Sequence, residues 1–194
     1  HPRITLNKTI ASRVDAADQF TIRVVNGVTT VGTATTVGAG LSATTGVVLA
    51  AGGTYTLSEV MAPGSASTIG QYTNFISCSN SNATSTTVLP SGAGTSFTVS
   101  PTGLDNITCT FTNTPRPAQI TVSNTTIGGV GPFNYGLTNL SSPSTTITTT
   151  VAGTPTNSPQ FTATAVNSPV SIAETVPSGW AFTSVSCTDA NSAV

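Results

Sequence analysis

The sequence has few charges, little histidine and no long apolar run, and each shortage argues against a class of function. Charged residues make up 6% of the 194 residues, whereas an average soluble domain has roughly 25%. Five cations are too few to neutralise a run of phosphates or to hold the chain on an anionic membrane. They are Arg3, Lys8, Arg13, Arg23 and Arg116. The apolar runs, such as 47–51, fall far short of the roughly 20 residues that a membrane-spanning helix needs.

Groups that could perform catalysis are equally scarce. The only histidine is His1, and the acids are scattered singly, at Asp15, Asp18, Glu59, Asp105, Glu174 and Asp189. This inventory contains no Ser-His-Asp set, no His/Cys metal cluster and no glycine-rich phosphate loop. The sequence therefore predicts a protein that is not an enzyme and that holds neither a metal ion nor a cofactor.

Alternating apolar residues indicate β-strands. Such residues fall on one face of a strand because successive side chains point to opposite sides. The clearest sets are Ile4, Leu6, Lys8 and Ile10; Phe20, Ile22 and Val24; Tyr55, Leu57 and Glu59; and Ile107, Cys109, Phe111 and Asn113. Turn-prone clusters rich in Gly, Pro, Asn and Ser separate these sets, and no segment of ten or more residues carries a helical apolar stripe. The pattern predicts an all-β sandwich.

The chain also repeats itself. ITLNKT at 4–9 returns as ITVSNT at 120–125, YTLSEV at 55–60 as VSIAET at 170–175, and FISC at 75–78 as SVSC at 184–187. Self-similarity of this kind indicates tandem copies of one structural unit. We expect one complete β-sandwich at 1–115, a short joint at 116–118 and a second β-sandwich at 119–194.

The second copy is expected to be incomplete and to lack its final strands. In the first copy 36 residues separate Cys78 from Thr114, whereas only seven follow Cys187. Two interpretations stay open: the sequence is a fragment of a longer repeat protein, or another subunit adds the missing strand to the sheet. Cys78 then pairs with Cys109, unless both are reduced core cysteines, and Cys187 has no partner in this chain.

Three motifs in order carry a resemblance: a lysine in the first strand, YTLSE followed by Ala-Pro, and a closing FTNTP. This order resembles the prealbumin-like, collagen-adhesin B-type (SpaA-like) domains of bacterial surface proteins and pilins. The resemblance implies tandem prealbumin-like or Ig-like sandwiches at the bacterial cell surface. It also implies a mechanical role as a stalk, fibre or pilus-like filament subunit whose partners are copies of itself or further repeats. The alternative is an adhesin that binds a host protein or glycan through its loops.

Many members of that family form an internal Lys–Asn isopeptide bond. Carried over to this sequence, the resemblance makes Lys8 the nucleophile, Asn113 the acceptor and Glu59 the assisting acid. Strand alternation independently places all three on apolar faces, where polar groups are costly unless they meet. The alternatives are a buried ion pair that is hydrogen-bonded to Asn113, or a Lys8 side chain that reaches the edge of the sandwich.

The second copy departs from this pattern because Asn124 stands where the first copy has its lysine. We therefore expect no equivalent bond within the second copy. Glu174, the counterpart of Glu59, is expected to hydrogen-bond to Asn124 instead.

Overall fold

The computed structural model describes residues 1–189, and the chain groups into two compact units, His1–Arg116 and Pro117–Val194. The described part consists of strands and one short 3₁₀ helix at Ile69–Gln71, so the predicted all-β class is confirmed. No helical segment within residues 1–189 has the length and apolarity that a bilayer-crossing helix requires.

The first unit is a sandwich of a five-stranded and a four-stranded sheet. The strand orders are β4-β1-β9-β6-β7 and β3-β2-β5-β8. The strands are β1 (Arg3–Ile10), β2 (Phe20–Asn26), β3 (Thr29–Thr35), β4 (Ser42–Leu49), β5 (Tyr55–Met61), β6 (Tyr72–Asn80), β7 (Ser91–Ala93), β8 (Ser96–Val99) and β9 (Asn106–Pro115). Apolar residues from both sheets form one core, because each strand turns every second side chain inward.

The first strand of this unit lies in the interior of the five-stranded sheet. β1 pairs with β4 on one side and runs parallel to the closing strand β9 on the other. The parallel register sets Lys8 beside Phe111 and Ile10 beside Asn113. On its far side β9 pairs with β6, which brings Cys78 opposite Cys109. The first and last strands of the unit are therefore direct neighbours.

The second unit contains shorter strands around a smaller core. They are β10 (Gln119–Ile120), β11 (Ser123–Asn124), β12 (Pro132–Thr138), β13 (Ser144–Thr148), β14 (Thr156–Asn157), β15 (Phe161–Thr162) and β16 (Ser171–Thr175). β13, β12 and β16 form a sheet, while β10 pairs with β15 and β11 with β14. Up to residue 189, no strand follows β16 and nothing pairs with the other edge of β10 and β11.

Candidate crosslinking site

Lys8 lies in the core of the first unit. Its residue is 1% exposed, and its Nζ atom lies 3.2 Å from Oε2 of Glu59, with both side chains fully buried. Nζ also donates hydrogen bonds to the backbone oxygens of Thr9 (3.0 Å) and Phe111 (3.3 Å). The expected position on the apolar face of β1 is what the structure has, and the side chain does not reach the edge.

The other two members of the cluster come from different strands. Glu59 lies on β5 in the opposite sheet, and Asn113 lies on β9, next to β1. Both are buried, at 2% and 0% exposure. The Asn113 amide is close enough to the Glu59 carboxylate to favour its charged form, although no hydrogen bond of good geometry joins them. Among residues 1–189 neither Nδ2 nor Oδ1 of the Asn113 side chain has a hydrogen-bond partner.

Burial shifts both ionisable groups of the cluster toward their neutral forms. It lowers the pKa of the Lys8 ammonium to about 8, against the opposing effect of the Glu59 charge. It raises the pKa of the Glu59 carboxyl, against the opposing effects of Lys8 and Asn113. A proton passed from Lys8 to Glu59 would leave a neutral amine beside a carboxylic acid, with the Asn113 carboxamide near that acid.

The aromatic ring of Phe20 packs against Lys8 in this cluster. The Lys8 Nζ atom lies 4.7 Å from the centre of the Phe20 ring. Phe20 in turn packs edge-on against Tyr72, with ring centres 5.0 Å apart, and the Tyr72 hydroxyl donates to the Asp18 carboxylate. The alternation of Phe20 with Ile22 signals that its ring faces the core, but no sequence pattern signals its contact with Lys8.

The disulfide expected between Cys78 and Cys109 is present and joins β6 to β9. It fixes the closing strand to the neighbour on the side opposite β1. Cys187 is free and exposed.

Another buried carboxylate, that of Asp105, holds loops together at the start of β1 and β9. It accepts hydrogen bonds from the Asn80 side chain (2.8 Å), the Thr87 hydroxyl (2.5 Å) and the Thr102 backbone (2.8 Å). Burial raises the pKa of Asp105, but hydrogen bonds to its charged form outweigh that effect and hold the pKa well below its usual range. Within residues 1–189 no three His, Cys, Asp or Glu side chains lie close enough to hold a metal ion.

The corresponding place in the second unit is built differently. Tyr135 lies opposite Glu174 in the β12–β16 pair and donates a 3.2 Å hydrogen bond to its Oε1 atom. Nδ2 of Asn124 is buried and has no hydrogen-bond partner among residues 1–189, so the expected Asn124–Glu174 bond is absent. Both residues line a cavity of about 110 Å³, which is also bordered by Phe133 and Trp180.

Comparison with known proteins agrees with the repeat. Two family models, SpaA_3 and SpaA_4, each described as a prealbumin-like fold domain, match residues 3–115 and 120–194 respectively. No curated protein and no solved structure matches the chain significantly.

Proposed function

Because the chain belongs to the SpaA-type family of prealbumin-like fold domains, we propose that it is a non-enzymatic structural module of a bacterial surface protein. It serves as a stalk, fibre or pilus-like filament subunit outside the cell. The family suggests a surface or pilin-type structural module. The observation that carries the mechanical role is the buried Lys8–Glu59–Asn113 cluster, which includes the only lysine of the chain.

The function of this cluster is a single reaction of the protein with itself. The neutral Lys8 amine attacks Cγ of Asn113 while protonated Glu59 polarises the carboxamide. An Nζ–Cγ bond forms, the Cγ–Nδ2 bond breaks, and Glu59 relays the proton with which Nδ2 leaves as ammonia. Holding amine and amide together in a dry core gives the reaction a large proximity advantage.

The crosslink suits a part that bears load. It joins the first strand to the closing strand, so tension applied across the unit would pass through a covalent bond rather than through hydrogen bonds between β1 and β9. The Cys78–Cys109 disulfide fastens the same closing strand to β6. The first unit would then resist unfolding by pulling and local opening to proteases.

Intact mass after reduction tests the crosslink. We expect the chain to weigh one ammonia less than its sequence, and the Lys8→Ala and Asn113→Ala variants to show their full masses. Glu59→Gln should slow the reaction by about 100-fold or more, the usual contribution of acid–base catalysis. A full unmodified mass for the parent chain would refute the isopeptide, and a deficit that survives Lys8→Ala would place it elsewhere.

The pH dependence of this reaction follows from the two pKa shifts. At low pH Lys8 stays an ammonium ion and cannot attack, and the rate rises as pH approaches its pKa of about 8. At high pH Glu59 loses the proton that it must supply, so the rate falls again. We expect a bell-shaped profile when freshly refolded protein is sampled by mass spectrometry at a series of pH values. A rate that rises steadily with pH would remove Glu59 as the acid.

The proposed function also includes self-association, in which a strand from another chain adds to the second unit. Within residues 1–189 one edge of β10 and β11 is unpaired, and such an edge can accept a strand from another chain. Electron microscopy of the exported native protein should show filaments if neighbouring chains complete this unit. Isolated monomers at high concentration would contradict assembly by strand addition.

A further inference from the structure

The second unit contains two of the three groups of the crosslinking cluster. Asn124 occupies the position of Lys8 in the repeat and offers a carboxamide, while Glu174 occupies the position of Glu59 and offers the acid. The missing group is the amine. Residues 117–194 contain no lysine and no arginine, and Lys8 is buried in the first unit. A lysine or arginine that reaches Glu174 therefore has to come from outside residues 117–194.

In the second unit the core-type residue Val185 is exposed, and β10 and β11 have an unpaired edge within residues 1–189. Val185 corresponds to Ile76 in the repeat, yet Val185 is 79% exposed and Ile76 is 0% exposed. In the first unit Ile76 is buried in the core between the two sheets, on β6, which pairs with β9. The second unit has no pairing partner on the open edge of β10 and β11 within residues 1–189. By analogy with β9, a strand placed there would run parallel to β10 and β11.

The cavity in this unit includes part of β11 and is lined by polar as well as apolar side chains. Asn124 and Glu174 both line it, and the buried Nδ2 atom of Asn124 has no hydrogen-bond partner among the described residues. Tyr135 holds the carboxylate in place, and burial together with the Glu174 charge raises the pKa of Tyr135 to about 12. A carboxylate and an unpartnered carboxamide in a cavity without a cation are complementary to an ammonium group.

We propose that the second unit captures an extended, lysine-bearing strand from another polypeptide and joins that lysine to Asn124, with Glu174 as the assisting acid. This inference rests on the proposed strand addition and reverses the roles proposed for the first unit, where the first strand carries the lysine and the closing strand carries the amide. The incoming lysine occupies the place that Asn113 has on β9.

The reaction balances without any further reagent. The lysine Nζ atom forms a bond to Cγ of Asn124, the Cγ–Nδ2 bond breaks, and ammonia leaves with a proton relayed by Glu174. The strand that fits has inward apolar residues at alternate positions followed by lysine, because β9 presents Ile107, Cys109 and Phe111 before Asn113. Two chains would thereby become joined by an amide bond at each such contact.

A synthetic peptide tests this directly in the 194-residue chain. The peptide copies residues 106–115 with Asn113→Lys, and with Cys109→Ser so that no disulfide can form. The mixture is incubated under reducing conditions. We expect an adduct whose mass is the sum of chain and peptide less one further ammonia, with the linkage mapped to Asn124 by tandem mass spectrometry. Absence of an adduct, or a linkage to any other residue, would overturn the proposal.

Two matched peptides separate this inference from the proposed strand addition. All three peptides carry an acetylated N-terminus. A peptide with an ε-acetylated lysine cannot react, and a peptide that keeps Asn113 has no side-chain amine, so both should bind without forming an adduct. If all three peptides bind and none reacts, strand addition stands and the lysine acceptor site is refuted. If none of the three peptides binds, both the strand addition and the lysine acceptor site are refuted. The first-unit crosslink is read independently, from the ammonia deficit of the unreacted chain.

Variants of the acid and the acceptor complete the test. Asn124→Ala should abolish the adduct, and Glu174→Gln should slow its formation by about 100-fold or more. Unchanged binding of the acetylated peptide to each variant controls for loss of structure. Adduct formation at the parent rate in Glu174→Gln would exclude the proposed role of Glu174.

Discussion

The two units share their motifs but differ in how their first strands are paired. In the first unit β1 has neighbours on both sides, and Lys8, Glu59 and Asn113 are all buried. In the second unit β10 and β11 are paired on one side only within residues 1–189, and Glu174 lies at a cavity instead of in a closed core. The comparison teaches that the same motif lies in a closed core where the closing strand is present, and that burial in this core shifts the pKa values of Lys8 and Glu59.

The largest difference between the units should come from removing Lys8. Lys8→Ala leaves Glu59 buried without its partner, and breaking such a pair typically costs about 3–5 kcal/mol of unfolding free energy. That cost applies to the chain before crosslinking; in the crosslinked chain the amide bond has replaced the ion pair, and the same change removes the covalent link between β1 and β9. Denaturant unfolding followed by hydrogen–deuterium exchange should show the first unit weakened and the second unchanged.

Matched variants sharpen that result. Replacing both charges, as Lys8→Met with Glu59→Leu, should recover much of the stability without any crosslink, because no unpaired buried charge remains. Asn124→Ala at the equivalent position should change the stability of the second unit by less than about 0.5 kcal/mol. A loss below about 1 kcal/mol for Lys8→Ala, the size expected of an exposed ion pair, would contradict the buried cluster.

Removal of the disulfide should have the next largest effect, again confined to the first unit. Cys78 and Cys109 are 31 positions apart, and the chain-entropy model assigns a loop of that size roughly 3–4 kcal/mol. The double variant Cys78→Ala, Cys109→Ala should lower the denaturant midpoint accordingly.

Cys187→Ala provides the control, with a change of less than about 0.5 kcal/mol, because this thiol is exposed and free. In the folded parent chain an alkylating reagent should modify one cysteine only, at position 187. Rapid labelling of Cys78 or Cys109 without reductant would show that their disulfide is not closed in solution.

The smallest effect concerns one methylene at equivalent positions. Ile76→Val should cost the first unit about 0.5–1.5 kcal/mol because the side chain is fully buried. Val185→Ile should change nothing measurable in the free chain, since Val185 is largely exposed. Equal sensitivity of the two positions in the free chain would contradict the exposure of Val185.

Much of the fold could be predicted from alternation alone. The period of two placed Ile4, Leu6, Lys8 and Ile10 on the inward face of β1, as the structure has them. The same period did not foresee Tyr135 as the partner of Glu174, because that contact depends on the register between β12 and β16. The contact between Lys8 and the Phe20 ring also depends on how the two sheets pack.

By itself, the sequence determined the strand faces, the repeat and the types of residue that meet in the core, because side-chain alternation and composition are local properties. It also determined that the second unit has no lysine of its own. Only the tertiary structure decided which groups touch. Glu59 reaches Lys8 from the opposite sheet, Asn113 lies near Glu59 on the strand next to β1, and Asn124 keeps an amide without a partner among residues 1–189. Distances between separate strands are set by register and sheet packing, which involve residues far apart in the chain.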